Sequence, residues 1–219
     1  MNGFVNFCFC RVRCANLGSH SEPYQCLLSL MNSNYISEKF AKALPYDRYV
    51  LTGTPEQQRR WTDVYNAANL TRDQLQVTSG FSRQMKVLIL SGIWCGDCVQ
   101  QCPLLVRIAE SRPDLIELRL LDRDVHRDLT EQVRINAGDR VPVALFLAED
   151  FELCSTFGDR TLSRYRALAR TQLGASCPIG IAPPPPDELA ATLGDWLDEF
   201  ERIQLMLRLS ARLRKKYGD

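Results

Sequence analysis

Two cysteines three positions apart, Cys95 and Cys98 in the run Trp94-Cys95-Gly96-Asp97-Cys98, are the residues of this chain best suited to chemistry. They follow Met85-Lys86-Val87-Leu88-Ile89-Leu90, which reads as a strand buried on both faces, and they precede a helical segment from about Gly96 to Ser111. A cysteine at a helix start meets unpaired amides and the positive end of the helix dipole, which favour thiolate over thiol. A second cysteine one turn further in can attack a mixed disulfide formed by the first. Cys95 is therefore the expected attacking thiolate and Cys98 the expected resolving thiol. The same spacing serves as half of a zinc site, but no second CxxC or CxxH follows with usable spacing. No metal and no bound cofactor is expected.

The other reactive side chains carry weaker signals. Cys102 lies four residues after Cys98 and shares its helix face, where a small buried core residue is the plainer expectation and a reserve thiol the sharper one. Cys154 falls in an expected strand and reads as core. Cys177, beside Pro178, stays outside the expected site. Cys8, Cys10, Cys14 and Cys26 crowd the first thirty residues without the paired spacing of a zinc knuckle, and an odd total of nine cysteines does not suit a closed disulfide framework. His126 follows Asp122 and Asp124 at an expected helix start, so a surface position is expected rather than an acid/base role. No phosphate loop, paired-carboxylate site or serine triad is visible.

The elements that must position the pair alternate along the chain. Ile36, Phe40, Ala43 and Leu44 predict one amphipathic helix over Ser33 to Leu44, and Trp61, Val64, Tyr65 and Ala68 predict another over Pro55 to Asn69, with Thr54-Pro55 as its start signal. A shorter helical turn follows at Thr71 to Gln76. After the strand and helix that bracket the cysteines come a strand near Leu115 to Leu121 and a helix near Val125 to Ala137. Strands near Val143 to Leu147 and Glu152 to Phe157, joined through Glu149 and Asp150, are expected to form an antiparallel hairpin, and a helix follows at Leu162 to Gln172. The economical packing is an α/β fold with a central mixed sheet and helices on both faces. A proline-rich stretch, Cys177 to Pro186, then reads as stiff and non-helical. Asp187 can cap a long helix to about Lys216 whose stripe of Leu189, Leu193, Trp196, Leu197, Phe200, Ile203, Leu207 and Leu209 packs on the core.

From Cys95 outward the sequence resembles thioredoxin. Trp94 precedes the first cysteine, and Pro103 stands five residues after the second, where the family's active-site helix is kinked. Arg140-Val141-Pro142 precedes an apolar strand as the family's cis-proline does, and Phe157-Gly158 matches the glycine after the last strand. The resemblance spans about residues 81–171. It implies a three-layer thioredoxin-like fold, and a cis Pro142 that sets the Val141 backbone beside Cys95 so that a substrate peptide can pair there. Trp94, Gly96, Asp97, Val141 and Pro142 are the substrate-binding residues it implies.

Three positions depart from that pattern. Ile89 stands where typical thioredoxins carry a buried aspartate that moves protons at the resolving thiol, and Ser91 replaces an expected aromatic residue. Asp97 replaces a proline between the cysteines, and its charge should raise the pKa of Cys95. A more reducing couple is expected.

Bulk properties narrow the partners. With 27 basic and 26 acidic residues among 219, the net charge of +1 offers no general attraction for nucleic acid or an anionic membrane. No stretch approaches the ~20 apolar residues of a membrane span, and residues 1–30 lack the apolar centre and cleavage site of a signal peptide. The expected organisation is a tail or over-extended start over 1–30, a helical extension over 31–80, the thioredoxin-like core over 81–173, the proline-rich connection over 174–186 and a terminal helix over 187–219. The expected function is thiol–disulfide exchange in the cytoplasm. Its partners are disulfide-containing proteins or small thiols and an unidentified reductase or thiol donor. A non-catalytic interaction module is the alternative, and peroxide reduction is weaker because the CxxC lacks the threonine and arginine setting of peroxiredoxins.

Overall fold

The computed structural model describes residues 31–172 and 186–218. The early cysteines, His20, Cys177 and nearly all of the proline-rich connection lie outside the described residues. The first described helices are α1 (Ser33–Lys42), α2 (Tyr46–Val50), α3 (Pro55–Ala67) and α4 (Arg72–Ser79). Local chemistry sets their starts. Asn32 accepts the Tyr35 N–H at the start of α1, and Thr54/Gln57 and Thr71/Gln74 form reciprocal capping boxes at α3 and α4. The turn expected after Thr71 is thus a full helix. The short α2 was not anticipated, because five residues are too few to show a helical period.

The sheet comprises β1 (Met85–Ser91), β2 (Ile116–Asp122), β3 (Val143–Leu147) and β4 (Leu153–Gly158), in the order β2-β1-β3-β4. Strand β1 pairs parallel with β2, from Met85 opposite Ile116 to Ser91 opposite Asp122, across the crossover helix α5 (Gly96–Glu110). The β1/β3 and β3/β4 pairs are antiparallel, so the expected hairpin is present. Leu44 exchanges two backbone hydrogen bonds with Leu120, at 2.9 and 2.8 Å, which fastens the start of α2 to the outer side of β2.

Alternation along β1 divides the core. Val87 and Ile89 face a cluster with Trp61, Leu104, Leu105, Phe146 and Phe200, whereas Leu88 and Leu90 face a second cluster with Ile36, Phe40, Leu129 and Leu145. The result is the expected three layers. Helix α7 (Leu162–Gln172) and the 24-residue α8 (Pro186–Leu209) complete the first face, and Phe200 meets Phe146 edge to face at 5.2 Å.

Two expected helices are shorter than the sequence implied. The segment from Val125 to Ala137 holds only α6 (Arg127–Thr130). Beyond it Asn136 and Ala137 take positive φ values of 49° and 57°, and Ile135 and Gly138 close a tight turn that sends the chain back toward Pro142. The terminal helix ends at Leu209, since Ser210 adopts an extended conformation and caps α9 (Ala211–Tyr217) by accepting the Leu213 N–H. Leu209, expected in the buried stripe, is 73% exposed. The other seven stripe residues are buried against the core.

Candidate active site

The loop between β1 and α5 is fixed before any sulfur is considered. The indole N–H of fully buried Trp61 donates to the Ile93 carbonyl at 2.9 Å, and Cys95 N–H donates to the Gly92 carbonyl at 2.9 Å. Cys95 is the N-cap residue of α5, so its side chain leaves the chain where the first amides of the helix are unpaired. Helix α5 runs through Pro103, the proline expected in it, to Glu110.

Cys95 is partly exposed, and Cys98 and Cys102 are fully buried behind it along the helix. The Cys95 thiol donates to the Val141 carbonyl at 3.7 Å, and the Gly92 N–H points at the Cys98 sulfur at 3.4 Å. The Val141–Pro142 peptide is cis, as the resemblance implied. Gly158 packs against it from β4. A Cβ at Gly158 would strike the Pro142 carbonyl oxygen, and the backbone there has φ +151°, so a larger residue is excluded on both counts.

Trp94, 47% exposed and next to Cys95 in the chain, has the Arg123 guanidinium 4.6 Å from its ring centre. Gly96 opens α5, while Val141 and Pro142 are buried behind Cys95. Asp97 is not the bare anion that the sequence implied. Arg160 holds one of its carboxylate oxygens at 2.5 Å and Arg164 the other at 3.4 Å, and Arg164 also reaches Glu188 on α8 at 2.5 Å. Arg160 in turn binds Asp159, which is buried and also bonded by Arg140 at 3.1 Å and Tyr165 at 2.6 Å.

One neutral side chain joins this network to α5. Gln101, fully buried, donates to the Asp159 carbonyl at 2.9 Å and accepts from Thr161 N–H and the Trp196 indole N–H, both at 3.3 Å. Arg160, Arg164, Asp159 and Gln101 had no signal in the sequence, because their partners lie about 60 residues away and polar residues near a helix end are ordinary.

The hydrogen bond with Cys98 and burial hold the Cys95 thiol well above its ordinary value. Asp97 adds a smaller push in the same direction, and the Cys98 N–H opposes them. Burial, followed by the neighbouring Cys102 thiol, raises Cys98. Ile89, in the place of the family's usual aspartate, is buried in the same apolar cluster as Cys98 and Cys102. Among the described residues no group of three or more His, Cys, Asp or Glu is arranged to hold a metal ion, and no helix is long and apolar enough to cross a membrane.

The sequence profile of the thioredoxin family matches residues 43–169, opening well ahead of the residues that carry the motifs. No curated protein matches the chain. Among solved structures, a Pseudomonas aeruginosa protein of unknown function is 22% identical, with a TM-score of 0.60 over 76% of this chain and 97% of that one. An HIV epitope scaffold is 19% identical, with a TM-score of 0.53 over 78% of this chain and 93% of that one. At these identities the likeness speaks for the fold alone.

Proposed function

The chain belongs to the thioredoxin family, and we propose on that premise that it is a thiol–disulfide oxidoreductase acting mainly as a reductant. The observation that carries this reading is the pairing of a partly exposed Cys95 sulfur, facing the Val141 carbonyl, with a buried Cys98 one helical turn behind it. Cys95 attacks a client disulfide and forms a mixed disulfide, releasing the first client thiolate. Cys98 then attacks the Cys95 sulfur, forming the Cys95–Cys98 disulfide and releasing the second client thiolate. Trp94, Gly96, Asp97 and the Val141–Pro142 backbone form the surface against which the client lies.

The elevated thiol of Cys95 supports the reducing direction, because an oxidant of this fold needs a reduced form stabilised as thiolate. A redox titration should accordingly give a potential nearer to reducing thioredoxins than to periplasmic oxidants; a value near the latter overturns the direction. Proteins or small thiols that carry disulfides are the proposed clients, a separate reductase or thiol donor regenerates the dithiol, and the cytoplasm is the proposed compartment. Reduction of insulin or a small disulfide is expected from the wild type and lost in Cys95→Ser. Equal rates for the two proteins would sink the catalytic reading and favour an interaction module.

A further inference from the structure

Beside the active-site loop lies a cavity of about 400 Å³ that the exchange chemistry leaves unused. Leu120 and Leu121, both buried, line it from β2, and Ile93 lines it from the loop itself. Leu44 and Val125 add apolar surface at its mouth, where they are 38% and 75% exposed. Two exposed aliphatic side chains beside one apolar opening form a patch rather than scattered surface residues. The loop ties this patch to the attacking sulfur. Ile93 is two residues before Cys95, so their Cα atoms are at most about 7 Å apart, and Trp94 between them is half exposed. In a mixed disulfide the client cysteine Cα sits about 6 Å from that of Cys95. An extended client advances about 3.3 Å per residue, so a side chain roughly two to four residues from its cysteine comes over the cavity.

Polar groups around the cavity define what accompanies that side chain. Lys42, exposed in the last turn of α1, has no ion pair among the described residues. His126 meets Lys39, whose Nζ lies 3.5 Å from its Nδ1. An ammonium group only donates, so Nδ1 accepts and the imidazole hydrogen stays on Nε2, where it is left for another acceptor. Burial and the charge of Lys39 hold His126 below its ordinary value of 6.5, which keeps this neutral form at pH 7. Asp122 also lines the cavity, but its Oδ1 accepts the Asp124 and Val125 amides at 2.8 and 3.2 Å and is committed to that turn. Lys42 and His126 are thus donors without a complete set of acceptors.

We propose that this cavity is a client subsite, which takes a large aliphatic or aromatic side chain near the client's disulfide cysteine, with an adjacent client carboxylate held by Lys42 and His126. The inference rests on the exchange chemistry proposed above and names the clients that chemistry prefers: peptides and proteins with an exposed apolar–acidic pair close to the reacting cysteine. No covalent step is added. Cys95 attacks the client sulfur as before, and the subsite raises the rate of that encounter by holding the client in position for it.

The test uses the reduced full chain and short peptides whose single cysteine is a mixed disulfide with thiopyridine, so that attack by Cys95 on the peptide sulfur releases coloured thiopyridone. Each rate is divided by that for hydroxyethyl disulfide in the same protein, so a general change in reactivity cancels. Peptides with leucine followed by glutamate, placed two to four residues from the cysteine, should react about tenfold faster than those with serine in place of leucine. They should react about threefold faster than those with lysine in place of glutamate. The double variant Leu44→Ser/Val125→Ser should shrink the leucine advantage to about twofold. Lys42→Glu should reverse the preference for glutamate over lysine and keep the leucine advantage. Equal wild-type rates across the peptides overturn the subsite, as do preferences that survive both sets of substitutions. A wild type that reacts with neither the peptides nor hydroxyethyl disulfide overturns instead the exchange chemistry beneath it.

Discussion

Helix α5 presents two unlike polar environments to the dithiol. Toward α7 and α8 lies a charged lattice in which Asp97, Asp159 and Glu188 are met by Arg140, Arg160 and Arg164, with Gln101 as its buried anchor. Toward β1 and α2 lie only neutral groups, Cys102, Ser91 and the Tyr49 hydroxyl, packed among hydrocarbon. Burial of an ion demands a partner and many hydrogen bonds, whereas hydroxyls and thiols can be buried at a smaller penalty. The difference teaches that charge in this site is placed where it can be compensated, beside the partly exposed Cys95, and kept away from the sealed Cys98.

The contrast is broken most severely at its anchor. Replacing Gln101 by Leu leaves the Trp196 and Thr161 N–H groups buried without acceptors, and should cost about 2–5 kcal/mol in denaturant unfolding. Cys102→Ala on the neutral side should cost only about 1–2 kcal/mol, since it removes one buried heavy atom and a weak thiol contact to the Ser91 hydroxyl. Similar losses for both would erase the distinction between the two sides.

The two sides should also fail at opposite ends of the pH scale. Burial alone would raise Asp159, but hydrogen bonds from Tyr165 and Arg140 outweigh it and leave the carboxyl below its ordinary value of 3.8. A depressed folded pKa gives stability that is present above the unfolded value and lost as pH falls through the folded one. Cys95 and Cys98 run the other way. Each is raised above the ordinary 9.0, so the unfolded chain ionises first and the reduced protein loses stability as pH climbs past that value. Thermal unfolding of the reduced protein across pH should therefore fall at both ends. Asp159→Asn should flatten only the acid limb, and Cys98→Ala should soften only the alkaline one.

The smallest effect separates charge from its compensation. Asp97→Asn should speed iodoacetamide capture of Cys95 at neutral pH by a few-fold, because the carboxylate opposes the thiolate. Arg160→Ala should slow capture, since it uncovers that same carboxylate. Equal rates in the two variants would mean that Asp97 is felt by the lattice alone.

What could be read in advance follows from the range over which each interaction acts. Cys95 and Cys98 are three residues apart, Thr54 and Gln57 cap their own helix, and the sheet strands declare themselves by short apolar runs, so these were visible in the chain. Pro142 and Gly158 were recognisable because a backbone requirement leaves a residue type behind. The charge on Asp97 was read correctly in sign and wrongly in context, because Arg160 and Arg164 lie 63 and 67 residues further along. A short helix such as α2 was hidden too, because five residues carry no period. The break at Ser210 was missed for a different reason: the apolar spacing runs on through Leu209, and only the cap geometry shows that the helix has ended.

Trp94 gives the protein a built-in optical gauge. Of its three indoles, Trp61 and Trp196 are fully buried, while Trp94 stands half in water, adjacent in the chain to Cys95 and stacked with Arg123. The two enclosed indoles contribute a steady, short-wavelength background to the emission. The third should contribute a long-wavelength band, and a Cys95–Cys98 disulfide formed beside it should quench that band, so the proposed change at the dithiol should be readable by light without attaching any label.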